Sequence, residues 1–174
     1  LLTIAQTIVV EELANEVISR IATAIRTVPL NRVSVRFENG EEKRTSFTAT
    51  ANASGRLINS LRFEIVNDEL IVYGNDYIYY LIYGRKQTKN GGSGVVKSDI
   101  RNWIDAKGIT PDDGMSKDTL AFLITRKIHR MGNSIYLASG GQNSGLLTNV
   151  LNENIIKKFN SKFTVTVADE FKEI

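Results

Sequence analysis

An α+β fold is predicted by three features of this 174-residue sequence. A long stretch at the start repeats apolar residues at helical spacing. Two pairs of alternating segments are each broken by a turn signal. The segments between them read as hairpins and helices, with no strand–helix–strand crossover units. The architecture expected is a long N-terminal helix and further helices packed on a largely antiparallel sheet built from hairpins. At this length one domain over residues 1–174 is the default, and it can bury a core without crosslinks.

The first element spans 2–27, where Ile4, Ile8, Leu13, Val17, Ile21, Ile25 and Val28 form the apolar stripe. Pro29 ends it, because proline has no N–H to continue the ladder. RVSVRF (32–37) and KRTSFTAT (43–50) follow, separated by the turn signal Glu38-Asn39-Gly40. Val33, Val35 and Phe37 fall on one face of that hairpin; Arg32, Ser34 and Arg36 fall on the other. One face is therefore wet or meets a neighbouring subunit. Ser54 is placed to cap a short helix. A second hairpin is expected from LRFEIV (61–66) and LIVYG (70–74) around Asn67-Asp68-Glu69. Tyr77 to Tyr83 reads as a short helix, although its aromatic content also fits a strand, and Asp76 before it as a cap or turn residue.

Ser98 or Asp99 caps the next helix, which carries Ile100, Trp103 and Ile104 and stops at Gly108. After the loop 110–114, Ser116 caps a helix with Leu120, Leu123, Ile124, Ile128 and Met131 inward and Arg126, Lys127 and Arg130 outward. Gly132 ends it. IYLAS (135–139) reads as extended, and 140–145 as a loop. Residues 146–159 read as a helix, with Leu147, Val150, Leu151, Ile155 and Phe159 as its stripe. KFTVTVADEF (162–171) alternates and is expected to close the sheet as a strand.

Five of the six tyrosines lie between Tyr73 and Tyr83, and the segment runs straight into Arg85, Lys86, Lys89 and a glycine-rich stretch that ends near Lys97. Tyrosine supplies apolar area with a polar tip, whereas glycine and serine bury almost nothing. Residues 85–97 are thus expected to be a mobile basic arm anchored by the tyrosines. Tyrosine and arginine are the side chains that most often anchor interfaces. The candidate interface residues are Tyr77, Tyr80, Tyr83, Arg85, Lys86, Lys89 and Lys97, with Arg36, Phe37 and Arg44 from the first hairpin.

Composition narrows the function classes. The sequence contains no cysteine, so disulfides and thiol chemistry are ruled out. A net charge of +3 is too mild to argue for nucleic acid by itself, yet permits an acidic partner. No apolar run is long enough to span a bilayer, and Glu11, Glu12 and Glu16 interrupt any signal-peptide pattern. The first residue is Leu1 rather than methionine, which leaves a processed start and a portion of a longer chain both open. GGSGVVKS (91–98) imitates a phosphate loop, but Val96 stands where that loop needs glycine to turn its N–H groups inward. His129 is the only histidine and has no recognisable nucleophile or orienting carboxylate. Asp112 and Asp113 fit a solvated turn better than a metal site. No catalytic residue, metal or cofactor is expected, nor an enzyme.

Four groups of residues recur in order between 54 and 137. They are Ser54-Gly55-Arg56-Leu57 with Ser60 and LRFEI; Asn75-Asp76-Tyr77 with Tyr80 and Tyr83-Gly84-Arg85; Ile100, Trp103-Ile104 and Lys107-Gly108-Ile109; and Ala121-Phe122-Leu123-Ile124 with Arg126-Lys127-Ile128 and Gly132. Together they resemble the neck and tail-completion proteins of tailed bacteriophages. This sequence departs from that pattern in three places. Val95-Val96 stand where proline is frequent, the hairpin 32–50 is longer, and 162–171 does not align.

The resemblance implies a structural virion protein at the head–tail junction, assembled in the host cytoplasm. It implies a six- or twelve-fold cyclic homo-oligomer between the portal or head-closure ring and the tail tube. DNA passes through such a ring, so non-specific contact with it is allowed, and no membrane is involved. Head-to-tail ring contacts need two different complementary patches. The arm 85–97 and the hairpin 32–50 are expected to supply one of them. The alternative function is a nucleic-acid-binding module using the basic arm 85–97 and the basic face of 126–130.

Overall fold

The computed structural model describes residues 2–51, 54–88, 94–112 and 114–172. The fold is α+β, with a long N-terminal helix, further helices and antiparallel hairpins. The expected single sheet is instead two separate two-stranded sheets, β1–β2 and β3–β4. In order the elements are α1 (Ile4–Thr27), β1 (Leu30–Glu38), β2 (Glu41–Ala49), α2 (Arg56–Asn59), β3 (Arg62–Val66) and β4 (Glu69–Tyr73). Then follow α3 (Tyr77–Ile82), α4 (Val95–Ala106), α5 (Lys117–Met131), α6 (Ser134–Ser139) and α7 (Glu153–Lys172). No helix among the described residues is long and apolar enough to cross a membrane.

The core forms where the inner end of α1 meets the short elements. Val17, Ile21 and Ile25 of α1 pack with Leu30, Leu57, Leu81, Ile135, Leu146 and Val150. Both hairpin turns use two residues in the left-handed region, Asn39 with Gly40 and Asn67 with Asp68, as the twist of a tight hairpin requires. The expected caps at Ser116 and Gly108 are present: Ser116 Oγ accepts from Thr119 N at 3.1 Å, and Gly108 has φ 63°. At α2 the N-cap is Gly55, and Ser54 Oγ accepts from Arg56 N at 3.4 Å. Asp76 precedes α3 without a side-chain cap; Asn75 Oδ1 accepts from Tyr77 N instead.

Three expectations are corrected. IYLAS is helical, because Asn133 Oδ1 caps it by accepting from Tyr136 N at 2.9 Å. α4 begins at Val95 behind Gly94, three residues before Ser98, with no side-chain cap. The largest correction is at the end of the chain. Residues 146–150 form a turn, and Asn152 Oδ1 accepts from Ile155 N to start a single helix through 162–171.

The residues of 162–171 alternate like a strand, but their partners are helical. α7 runs antiparallel to α1: Lys158 meets Glu16 at 3.1 Å, Lys162 meets Glu12, and Glu170 accepts from Gln6 at 2.7 Å. Phe159 and Phe163, one turn apart, bring their ring centroids to 5.5 Å. Tertiary packing here overrides the β-propensity of Val165, Thr166 and Val167.

Glu16 lies where α1 meets α7. Hydrogen bonds from Arg20 first, then Lys158, hold its carboxyl below the ordinary value of 4.5. A depressed folded-state value contributes stability at neutral pH that is lost as pH falls through it. Glu16→Gln is expected to lower the thermal midpoint at neutral pH, with the gap closing as pH falls through that lowered value. Thermal melts of both proteins across that range check this; a gap that persists in acid contradicts it.

Candidate interaction site

β1 and β2 pair along their whole length, from Leu30 opposite Ala49 to Glu38 opposite Glu41. The two-residue turn makes Glu38–Glu41 the closing hydrogen-bonded pair. Antiparallel alternation then turns the backbone groups of Glu42, Arg44, Ser46 and Thr48 outward from β2, and those of Val33, Val35 and Phe37 outward from β1. The β1 side is largely covered as far as Val35. α6 packs against it, and Lys127 Nζ of α5 donates to the Val35 carbonyl. The β2 side is open, and every residue from Glu41 to Thr48 is exposed. Its charges are partly matched within the hairpin, by Arg44–Glu42 at 2.7 Å and Lys43–Glu38 at 2.5 Å.

Where β1 passes α5, a shallow groove of about 220 Å³ forms. Val35, Phe37, Leu123 and Met131 supply its apolar surface, and Arg126, Lys127 and Arg130 its basic rim. Phe37 is 52% exposed and Leu123 44%, so apolar area faces solvent here. Leu123 was expected on the inner side of α5; it faces this groove instead, because β1 approaches that flank of the helix. Arg130 lies over the Phe37 ring, 4.9 Å from its centroid.

The tyrosine helix ends in a tight junction. Gly84 has φ 73°, and a Cβ there would stand 2.4 Å from the backbone N of Tyr136. That contact lets α3 abut α6. The chain is then strapped down: Arg85 N donates to Asn133 Oδ1 at 3.0 Å and its carbonyl accepts from Asn133 N at 2.8 Å. Thr88 N donates to the His129 carbonyl at 2.8 Å, and Thr88 Oγ1 lies 2.5 Å from His129 Nδ1. The expected mobile arm is corrected at both ends. Residues 85–88 are strapped to α5 and α6, and 95–97 are the first turn of α4. The middle, 89–93 with Lys89, lies outside the described residues.

The structure sorts the predicted site residues into three places. Tyr80 lies beneath Arg85, whose guanidinium is 5.3 Å from its ring centroid. Tyr83 is exposed and tilts against Tyr79 at 4.9 Å. Tyr77 is 47% exposed and lies within electrostatic reach of Arg32 and Asp99. Burial there raises the Tyr77 phenol and lowers the Arg32 guanidinium, while their mutual attraction works against both shifts. Lys86 is exposed and Lys97 half-buried. Phe37 and Arg44 share one hairpin face, and Arg36 belongs to the opposite one.

Tyr79, 59% exposed, and the groove contributed by Leu123, Arg126 and Arg130 were not among the predicted interface residues. The tyrosine cluster 73–83 was the sequence signal for Tyr79, and the basic run 126–130 that for the groove. Among the described residues, no three His, Asp or Glu side chains gather as a metal site.

Gly84 and Gly108 both have positive φ, but only Gly84 faces a neighbouring backbone; Gly108 has open space. Gly84→Ala is expected to cost about 3 kcal/mol or more, and Gly108→Ala about 1 kcal/mol. Urea unfolding of the two variants checks the difference; equal losses contradict the close packing of α3 on α6.

No family model matches this chain, and no curated protein or solved structure matches it either.

Proposed function

We propose that this chain is a structural virion subunit. It is a ring-forming neck or tail-completion component of a tailed phage, joining the portal or head-closure ring to the tail tube around the DNA channel. It works by shape and docking, with no bond-making step. The observation that carries the proposal is the open edge of β2, exposed from Glu41 to Thr48 while β1 is largely covered as far as Val35. A two-stranded hairpin is marginal by itself, and nine-residue strands are long for a ribbon held along one side. A neighbouring subunit that covers β2 relieves that. The ordered motifs between Ser54 and Leu137, which resemble the neck family, support the virion setting.

Charged residues at 41–44 keep the edge from pairing indiscriminately and restrict it to a complementary partner. In a cyclic six- or twelve-fold homo-oligomer that partner is the next copy, in head-to-tail order.

A nucleic-acid-binding module is the second reading. Arg126, Lys127 and Arg130 favour it, since none is within ion-pair distance of a carboxylate among the described residues. It requires a monomer whose DNA affinity falls steeply with salt.

Replacing residues 37–42 by Asn-Gly keeps Arg36–Lys43 as the closing pair and shortens the exposed edge. Concentrated wild-type protein is expected to give closed rings in negative-stain images. The shortened protein is expected to stay folded and monomeric. Rings from the shortened protein contradict the role of the edge. A wild type that forms no ring in solution or on the particle contradicts the ring itself.

A further inference from the structure

The basic groove between β1 and α5 has a counterpart elsewhere on the same chain. At the tip of the β3–β4 hairpin, Val66 is 43% exposed and pairs in register with Glu69. Strand alternation puts Glu64 on that same face. The tip therefore presents one apolar knob between two carboxylates. Glu69 has no ion pair among the described residues, and Glu64 has only Arg62, at 3.9 Å. The groove presents the converse, an exposed Phe37 and Leu123 bordered by Arg126, Lys127 and Arg130. Among the described residues no carboxylate lines it. Lys127 spends its hydrogen bond on the Val35 carbonyl and Arg130 lies on the Phe37 ring, so both cations are held at the groove.

The two patches lie toward opposite ends of the molecule. Leu2 N donates to Asp68 Oδ1 at 3.2 Å, which fixes the β3–β4 tip at the N-terminal end of α1. β1 starts at Leu30, beyond the other end of that 24-residue helix, about 36 Å away at 1.5 Å per residue. From there β1 packs on α6. The tip cannot reach the groove of its own chain.

We infer that the groove between β1 and α5 receives the acidic β3–β4 tip of a second copy of this chain. Each copy then offers a tip at one end and a groove at the other, the arrangement a head-to-tail assembly needs. Closure into a ring rests on the function proposed above; the contact itself does not. A hairpin tip in so small a groove buries less than the ~1,000 Å² of a stable interface. It is weak singly and gains from repetition around the assembly.

The chain has no cysteine, so engineered disulfides report this contact without background. The full-length protein carrying Val66→Cys and Leu123→Cys is oxidised mildly and run under denaturing conditions. A ladder of dimers, trimers and higher species is expected, with dimers at most from either single variant. A second pair, Glu69→Cys with Arg126→Cys, covers the narrow geometry a disulfide demands.

On the first pair, Arg126→Glu with Arg130→Glu is expected to cut the ladder about tenfold. Adding Glu64→Lys and Glu69→Lys is expected to restore it, because the charges then complement in reverse. No ladder from either cysteine pair overturns the inference, and so does a ladder indifferent to charge reversal. Rings without the ladder remove this contact and leave the ring; a ladder without closed rings keeps the contact and removes the ring. Duplex DNA binding lost in Arg126→Glu/Arg130→Glu, with no ladder, assigns the groove to nucleic acid and overturns the inference.

Discussion

An antiparallel pair of strands has two outer edges, and each edge carries backbone groups that must find partners or water. In this molecule the two edges of the long hairpin are treated differently. Leu30 and Val35 are buried, α6 packs on β1, and Lys127 reaches the Val35 carbonyl. Among the described residues β2 receives nothing comparable. That asymmetry aims one strand outward and fixes which backbone groups stay open to solvent, those of Glu42, Arg44, Ser46 and Thr48. The charges of Glu41, Glu42, Lys43 and Arg44 make the strand selective without closing it.

The asymmetry holds only if α5 and α6 keep their places against β1, and the junction at Gly84 does that. α3 ends where Gly84 abuts Tyr136, and Ser144 Oγ donates to the Leu81 carbonyl at 2.7 Å. Arg85 is bonded twice to Asn133, and Thr88 twice to His129. Asn133 serves both sides of the junction, capping α6 through Tyr136 N and holding the strap through Arg85 N. Gly132 is equally constrained, since a Cβ there would meet the Arg85 carbonyl at 2.8 Å. The tyrosine helix thus anchors a strap that steadies the groove wall, a different service from carrying a free arm. Ion pairs between α4 and α5, Lys117 with Asp105 at 2.7 Å among them, add to that wall but are exposed and contribute modestly.

The locally encoded features were legible in the sequence. The stripe of α1, the turns at Asn39-Gly40 and Asn67-Asp68, the cap at Ser116 and the stop at Gly108 each depend on a few adjacent residues. The features that were not legible depend on distant partners. α7 reads as a strand over 162–171 until Glu12 and Glu16 are brought alongside Lys162 and Lys158. α6 hides behind the β-branched and aromatic start of IYLAS, and only its cap Asn133 betrays it. Leu123 satisfies a helical stripe, yet the approach of β1 turns its flank into a groove. For the same reason Phe37 could be nominated from the hairpin pattern alone, but its pairing with Arg130 could not.

Backbone amide exchange on β2 tests the central claim most directly. Hydrogen exchange is measured at Glu42, Arg44, Ser46 and Thr48, first in dilute protein and then in the assembled state. The account predicts fast exchange at these four amides when dilute and protection on assembly, while the β1-bonded amides between them change little. Equal exchange in the two states, in a sample shown to be assembled, contradicts the account, because β2 would then not be the edge a neighbour covers.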